Sequence, residues 1–296
     1  MIATFLHRSR SSWGAVLMGL GLSVGALAAA EPERVEVPSL DQAQGEPIRQ
    51  PSFWFRAPVA GPAPAIVLLH GCGGPYSDAY PSRLSVRMRE YAALLNGQGW
   101  HVLVTDSLSP RGERELCTQR IGTRKVTQTQ RRRDALGAMQ WLASRAEVDA
   151  QRVGLLGWSH GASNVLASTN AAHPEVAAST ARPAFAVAFY PGCDEELRRG
   201  YRPTAPLLML LGDADDWTPP GPCKALAQQS AEPKPQVEAY AGAYHGFDGT
   251  APVRLRTDVP NGAHPGQGVH LGGDPAARAA SRVRLLEFIR QATGTR

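Results

Sequence analysis

The sequence predicts an α/β fold: a mostly parallel sheet with helices on both faces, built as one domain over residues 31–296. Three observations lead there. Short, continuous apolar runs such as Ala65-Ile66-Val67-Leu68-Leu69 have the composition of strands buried on both faces. They alternate with segments of helical periodicity. No internal repeat marks a second domain. A hydrophobic fraction of 43% and a charged fraction of 19% over 296 residues suit a folded chain with a sizeable core.

Residues 1–30 stand apart. Arg8 and Arg10 form a basic start, residues 13–24 are apolar and uncharged, and Ala28-Ala29-Ala30 ends the run in small residues. This is the pattern of a secretory signal peptide cut after Ala30, and the apolar stretch is shorter than the ~20 residues a bilayer span needs. The expected product is periplasmic or secreted, with no membrane span. Losing two arginines and no acid lowers the formal net charge from +5 to +3.

Residues 31–50 read as an irregular, proline-containing lead-in with one short strand at Val35-Glu36-Val37. Phe53-Trp54-Phe55 is a strand, and the turn over 58–64 leads into the buried strand 65–69, which ends in His70-Gly71-Cys72-Gly73-Gly74. Residues 82–96 have helical periodicity stopped by Gly97 and Gly99. Residues 100–105 form the next buried strand, followed by a long loop to about Lys125. Residues 127–145 are helical, with Ala135, Leu136, Met139 and Leu142 on one stripe. The run Arg131-Arg132-Arg133 in this helix reads as a solvated face and not as a nucleic-acid patch.

The strand over 152–156 runs into Gly157-Trp158-Ser159-His160-Gly161 and then a small-residue helix. A G-x-S-x-G sequence between strand and helix is the nucleophile elbow of α/β-hydrolases. The tight turn lifts the serine above the sheet edge, and side chains in place of the two glycines would collide with strand or helix. Further strands fall at 184–190, 206–211 and 237–240, with a helix at 221–231. A glycine- and proline-rich segment covers 250–274, and 276–292 is a closing amphipathic helix.

A serine hydroxyl needs a base to take its proton and a group to orient that base. In this fold the order along the chain is serine, acid, histidine. The turn Gly212-Asp213-Ala214-Asp215-Asp216-Trp217-Thr218-Pro219 follows a buried strand and offers three carboxylates. Thr218 and Pro219 read as N-cap and first helical residue. Asp215, between strand and helix, is the expected acid, Asp216 the runner-up, and Asp213 a turn residue. His245, in Tyr244-His245-Gly246-Phe247 after the last strand, is the expected base. His160 lies too close to Ser159 to face it, and His173, His264 and His270 sit in loops. Two backbone N–H donors must meet the developing oxyanion; those of His160 and Cys72 are the candidates.

These stretches resemble the dienelactone hydrolase family: Leu69-His70-Gly71, the elbow, the acid turn and Tyr244-His245-Gly246-Phe247 carry the resemblance. It implies hydrolysis of a small ester or lactone through an acyl-enzyme, without metal or other cofactor. It makes Ser159 the nucleophile, Asp215 the acid and His245 the base. Founding members of the family use a cysteine nucleophile; serine here leaves the substrate open. In the strand order of the fold, the strands before Cys72 and Cys117 are neighbours, as are those before Cys193 and Cys223. The resemblance therefore implies the disulfides Cys72–Cys117 and Cys193–Cys223, suited to an oxidising compartment.

Trp158, Tyr190 and Trp217 adjoin the catalytic turns and are candidates for the pocket or for the core. Arg111 is a candidate for a substrate carboxylate or a surface residue. The reading is a carboxylic ester hydrolase acting on small molecules. An exopeptidase or amidase with the same triad, and a non-catalytic binding protein on the same fold, are the alternatives.

Overall fold

The computed structural model describes residues 1–2 and 31–294; the body of the expected signal peptide lies outside the described residues. The chain opens with β1 (Glu33–Ala43) and β2 (Glu46–Phe55), followed by β3 (Ala63–Leu69), α1 (Val86–Asn96) and β4 (His101–Thr105). Next come α2 (Gln128–Ala143), β5 (Val148–Trp158), α3 (His160–Thr169) and the short α4 (Pro174–Ala178). After β6 (Phe185–Phe189) come α5 (Asp194–Arg199), β7 (Leu207–Gly212), α6 (Pro220–Gln229) and β8 (Gln236–Tyr240). Two short strands, β9 (Arg254–Arg256) and β10 (Val269–Leu271), precede α7 (Pro275–Thr293).

The first eight strands form one sheet in the order β1-β2-β4-β3-β5-β6-β7-β8. The pairs from β4 to β8 are parallel, whereas β1 and β2 add an antiparallel edge. Strand β3 shows why both faces are buried. Ala65, Val67 and Leu69 point into a core shared with Leu136 and Met139 of α2 and Val165 of α3. Ile66 and Leu68 point into a second core with Met88 and Tyr91 of α1 and Phe288 of α7. A period-two alternation between two apolar layers needs an unbroken apolar run, which is what β3 has.

Two expectations change at the N-terminal edge. Residues 33–55 form a long hairpin, not an irregular lead-in. Its turn is Gln44-Gly45, both with positive φ (55° and 86°), the backbone that matches the twist of a two-residue hairpin. Pro38, Pro47 and Pro51 interrupt the strand pattern and hide it. Short helices α4 and α5 fall in segments to which the sequence assigned no element.

The arginine run of α2 is not a solvated face. Arg131 is wholly buried and Arg132 nearly so, while Arg133 pairs with Asp41 and Glu175. Helical position explains this: consecutive residues fan around the axis, so three adjacent arginines cannot share one solvated face. Arg111 likewise departs from both readings. It is half-buried and gives its guanidinium to Asp134 and Asp41, in each case at 2.9 Å. It ties α2 to the hairpin and is committed to structure. Both disulfides form as expected, Cys72–Cys117 and Cys193–Cys223. They suit an extracellular or periplasmic protein. No helix among the described residues is long and apolar enough to cross a membrane.

Candidate active site

Strand β5 delivers Ser159 to the C-terminal edge of the sheet. Ser159 adopts φ 54° and ψ −120°, a strained conformation for a residue with a side chain. Its own N–H is held by the Phe189 carbonyl at 2.9 Å. The flanking glycines are required by space. A Cβ on Gly157 would lie 2.3 Å from the Gly161 carbonyl oxygen, and one on Gly161 would lie 2.0 Å from that of Leu69.

The loop after β8 brings His245 over Ser159. His245 Nε2 is 2.9 Å from Ser159 Oγ, and His245 Nδ1 is 2.8 Å from Asp215 Oδ2. His245 and Asp215 are buried, whereas Ser159 is half-buried at the floor of a cleft. Asp215 is fixed by the turn after β7: its Oδ1 accepts from the N–H groups of Trp217 and Thr218, both at 2.9 Å. A carboxylate with these bonds has one oxygen left for the imidazole, so the His245 proton is held on Nδ1 and Nε2 is free to accept from serine.

The three aspartates of the turn separate. Asp216 serves His270, with Oδ2 2.7 Å from its Nδ1 and Oδ1 accepting its backbone N–H. Asp213 forms an exposed pair with Lys224. Thr218 is not the N-cap of α6. The helix begins one residue later, at Pro220 with Pro219 as cap, and the Thr218 hydroxyl sits 3.1 Å from both Asp215 Oδ2 and His245 Nδ1. Its proximity to Asp215 and His245 was hidden because threonine before proline also fits a cap.

The cleft has a volume of about 230 Å³ and is bordered by Cys72, Tyr190, Trp217 and Leu271, with Arg254 and Arg256 at its rim. A larger cavity of about 560 Å³ shares Cys117, Arg254 and Arg256 with it. The hydrogen-bonded Ser159–His245 pair, not cavity size, locates the candidate site. The rings of Trp217 and Tyr190 lie 4.7 and 4.6 Å from that of His245. Tyr190 and Trp158 border the cleft, but their polar ends turn inward: the Tyr190 hydroxyl and the Trp158 indole N–H both donate to the buried Asp248, at 2.6 and 3.0 Å. Arg87 completes the same carboxylate. Asp248 and Arg87 were missed in the sequence, where the aspartate looks like one more polar loop residue.

The glycine loop after β3 crosses in front of the elbow. Cys117 holds it through the disulfide, and Leu116 N–H donates to the Cys72 carbonyl at 2.8 Å. His160 opens α3, where first-turn amides have no acceptor within the helix. Its ring is turned away from Ser159 and accepts from Arg131. Burial and the Arg131 charge push its pKa well below the usual histidine value. Burial, with Arg131 nearby, pushes His70 down to about 3. The bonds of both rings lead away from Ser159, so His245 is the imidazole placed for proton transfer. Among the described residues no group of three or more His, Cys, Asp and Glu is placed to hold a metal ion.

A mostly parallel sheet with a serine elbow after its fifth strand and an imidazole above it defines an α/β-hydrolase. The chain belongs to the dienelactone hydrolase family, whose sequence pattern matches residues 53–292, and as a member it is a carboxylic ester hydrolase. No curated protein matches the sequence. Solved structures share the fold at low identity. A dienelactone hydrolase-like promiscuous phosphotriesterase from metagenomic libraries is 19% identical with a TM-score of 0.63, covering 89% of this chain and 99% of that one. Esterase 2 of Thermogutta terrifontis, phosphorylated by paraoxon, is 14% identical with a TM-score of 0.61, covering 90% and 96%. The same esterase with propionate bound is 15% identical with a TM-score of 0.59, covering 88% and 94%.

Proposed function

We propose that the protein is a serine hydrolase of small esters or lactones, acting through an acyl-enzyme. The observation that carries this reading is the unbroken hydrogen-bond chain from Ser159 Oγ through His245 to Asp215. Ser159 attacks the carbonyl carbon while His245 Nε2 takes the hydroxyl proton. The imidazolium that forms is oriented and stabilised by the Asp215 carboxylate. The carbonyl oxygen, now negative, is met by the N–H groups of Cys72 and His160. His245 returns the proton to the leaving alcohol, which departs. A water then enters and adds to the acyl carbon as His245 takes its proton; the bond to Ser159 Oγ breaks, His245 returns the proton to that oxygen, and the acid leaves.

A cleft of about 230 Å³ suits short acyl groups. The structural neighbours include one esterase solved with propionate, with butyrate and phosphorylated by paraoxon. That likeness supports short-chain esters as first substrates. We read residues 1–30 as a cleaved leader and 31–296 as the catalytic domain, which would deliver the enzyme to the compartment its two disulfides suit.

A panel of p-nitrophenyl esters of graded acyl length, with lactones and anilides, tests the reading. Turnover of short esters or lactones by the wild type and none by Ser159→Ala is expected. Faster cleavage of anilides would make it an amidase instead. No turnover of any kind would favour a binding protein on the same fold.

A further inference from the structure

Among the described residues Arg131 is a buried cation without a contact counter-ion, placed directly behind the elbow. It is wholly buried in the first turn of α2. One terminal N–H donates to the His70 carbonyl at 2.7 Å, and the other to His160 Nδ1 at 2.8 Å. Arginine has no lone pair to offer, so His160 Nδ1 is the acceptor and its proton sits on Nε2. The nearby carboxylates are committed elsewhere. Asp134 receives Ser39 and Arg111. Asp106 receives the N–H groups of Leu108 and Ser109 and the Ser109 hydroxyl. None of the ion pairs of this region includes Arg131. Its Nε has no partner among the described residues.

Burial of an unpaired guanidinium costs several kcal/mol, and an apolar side chain would fill the same space more cheaply. The two groups it holds belong to the two arms that flank the reacting carbonyl. His70 begins the glycine loop leading to Cys72, and His160 follows Ser159. A negative charge forms between those arms only during the reaction.

We propose that Arg131 is a positioning residue of the oxyanion hole: it clamps both arms from behind and supplies the positive field that the oxyanion meets. It touches no substrate. In a low-dielectric site such a fixed charge acts strongly and needs no reorganisation when the oxyanion appears. Burial pushes its pKa down to about 10, still well above neutrality, so the charge is present at working pH. The inference rests on Ser159 being the nucleophile.

Arg131→Met, Arg131→Lys and Arg131→Gln separate charge from packing. The wild type is first labelled with a fluorophosphonate; failure there would sink the proposed function and not this inference alone. Each variant is then assayed on a short p-nitrophenyl ester, with rates expressed per labelled or folded site. A trifluoromethyl ketone, which forms a charged adduct on the serine, reports on oxyanion binding. Arg131→Met is expected to lower kcat on the order of 10²-fold with KM little changed, and to weaken the ketone in parallel. Arg131→Lys is expected to recover about ten-fold of that loss, and Arg131→Gln none. If Arg131→Met does not fold, the Lys and Gln variants decide. Equal kcat in those two, or a lower melting temperature with kcat per folded site intact, would overturn the proposal.

Discussion

Asp215 and Asp216 are adjacent in the chain but serve different histidines, Asp215 the buried His245 and Asp216 the half-exposed His270. The turn after β7 makes the separation. Asp215 is drawn inward by the N–H groups of Trp217 and Thr218, which leaves Asp216 to clamp β10. Asp215→Asn should therefore lower kcat on the order of 10³–10⁴-fold, because an amide favours the wrong imidazole tautomer. Asp216→Asn keeps an acceptor for the His270 N–H and should stay within about ten-fold of wild type. Steady-state kinetics on one ester distinguishes them, and a reversal of the two effects would move the triad acid to Asp216.

Asp248 is another buried carboxylate, and all three of its partners border the cleft. It receives Arg87, the Trp158 indole and the Tyr190 hydroxyl. Tyr190 has a positive φ of 42°, which this contact helps to hold. Asp248→Ala leaves all three donors unpaired and should cost about 3 kcal/mol or more in urea unfolding. A loss under 1 kcal/mol, roughly the worth of a surface pair, would show that the carboxylate is not the hub described.

The parallel strands and the elbow were legible because burial on both faces leaves unbroken apolar runs, and because the elbow needs glycines at fixed spacing. Ser159, Asp215 and His245 could be singled out because each follows a strand in the fold's serine–acid–histidine order. The hairpin β1–β2 was obscured by prolines that an edge tolerates. Arg111 and Arg131 were misread for a different reason. Composition marks arginine as a surface residue, and only the fold shows that Arg111 finds two carboxylates in the interior and that Arg131 finds a carbonyl and an imidazole. Segment 250–274 carried no periodic signal, yet it reaches His245: Gly272, just after β10, donates its N–H to the His245 carbonyl at 3.0 Å.

Stability should fall in mild acid, and His70 should account for part of it. In the folded protein its Nδ1–H meets the Gly71 carbonyl and its Nε2 accepts from Ser107, so the ring is neutral and its pKa is pushed down to about 3. Burial pushes His101 down as well. The unfolded chain binds protons at these rings below pH ~6.5 and the folded chain does not. The stability they allow is complete above that pH and is lost as pH falls towards 3. The His70 share is about 3 kcal/mol by pH 4. Melting curves from pH 8 to 4 should show a steeper decline for wild type than for His70→Asn. Parallel curves would contradict the assignment.

The two disulfides should differ in their effect on catalysis. Both close loops, of 45 and 30 residues, and each should contribute about 2–4 kcal/mol. Cys72–Cys117 also fixes the loop that carries a proposed oxyanion donor. The double variant Cys72→Ser/Cys117→Ser should lose stability and kcat together, at least about ten-fold in kcat. Cys193→Ser/Cys223→Ser should lose stability with kcat per folded site within about two-fold of wild type. Calorimetry with parallel ester assays checks both.

The central claim is that Ser159 is the nucleophile, activated by His245. The most direct measurement is mass spectrometry of the purified protein after reaction with a fluorophosphonate. The account predicts one adduct per chain, mapped to the peptide containing Ser159, formed by the wild type, lost in Ser159→Ala and strongly slowed in His245→Ala. An adduct on another residue, or labelling that persists in Ser159→Ala, would contradict it.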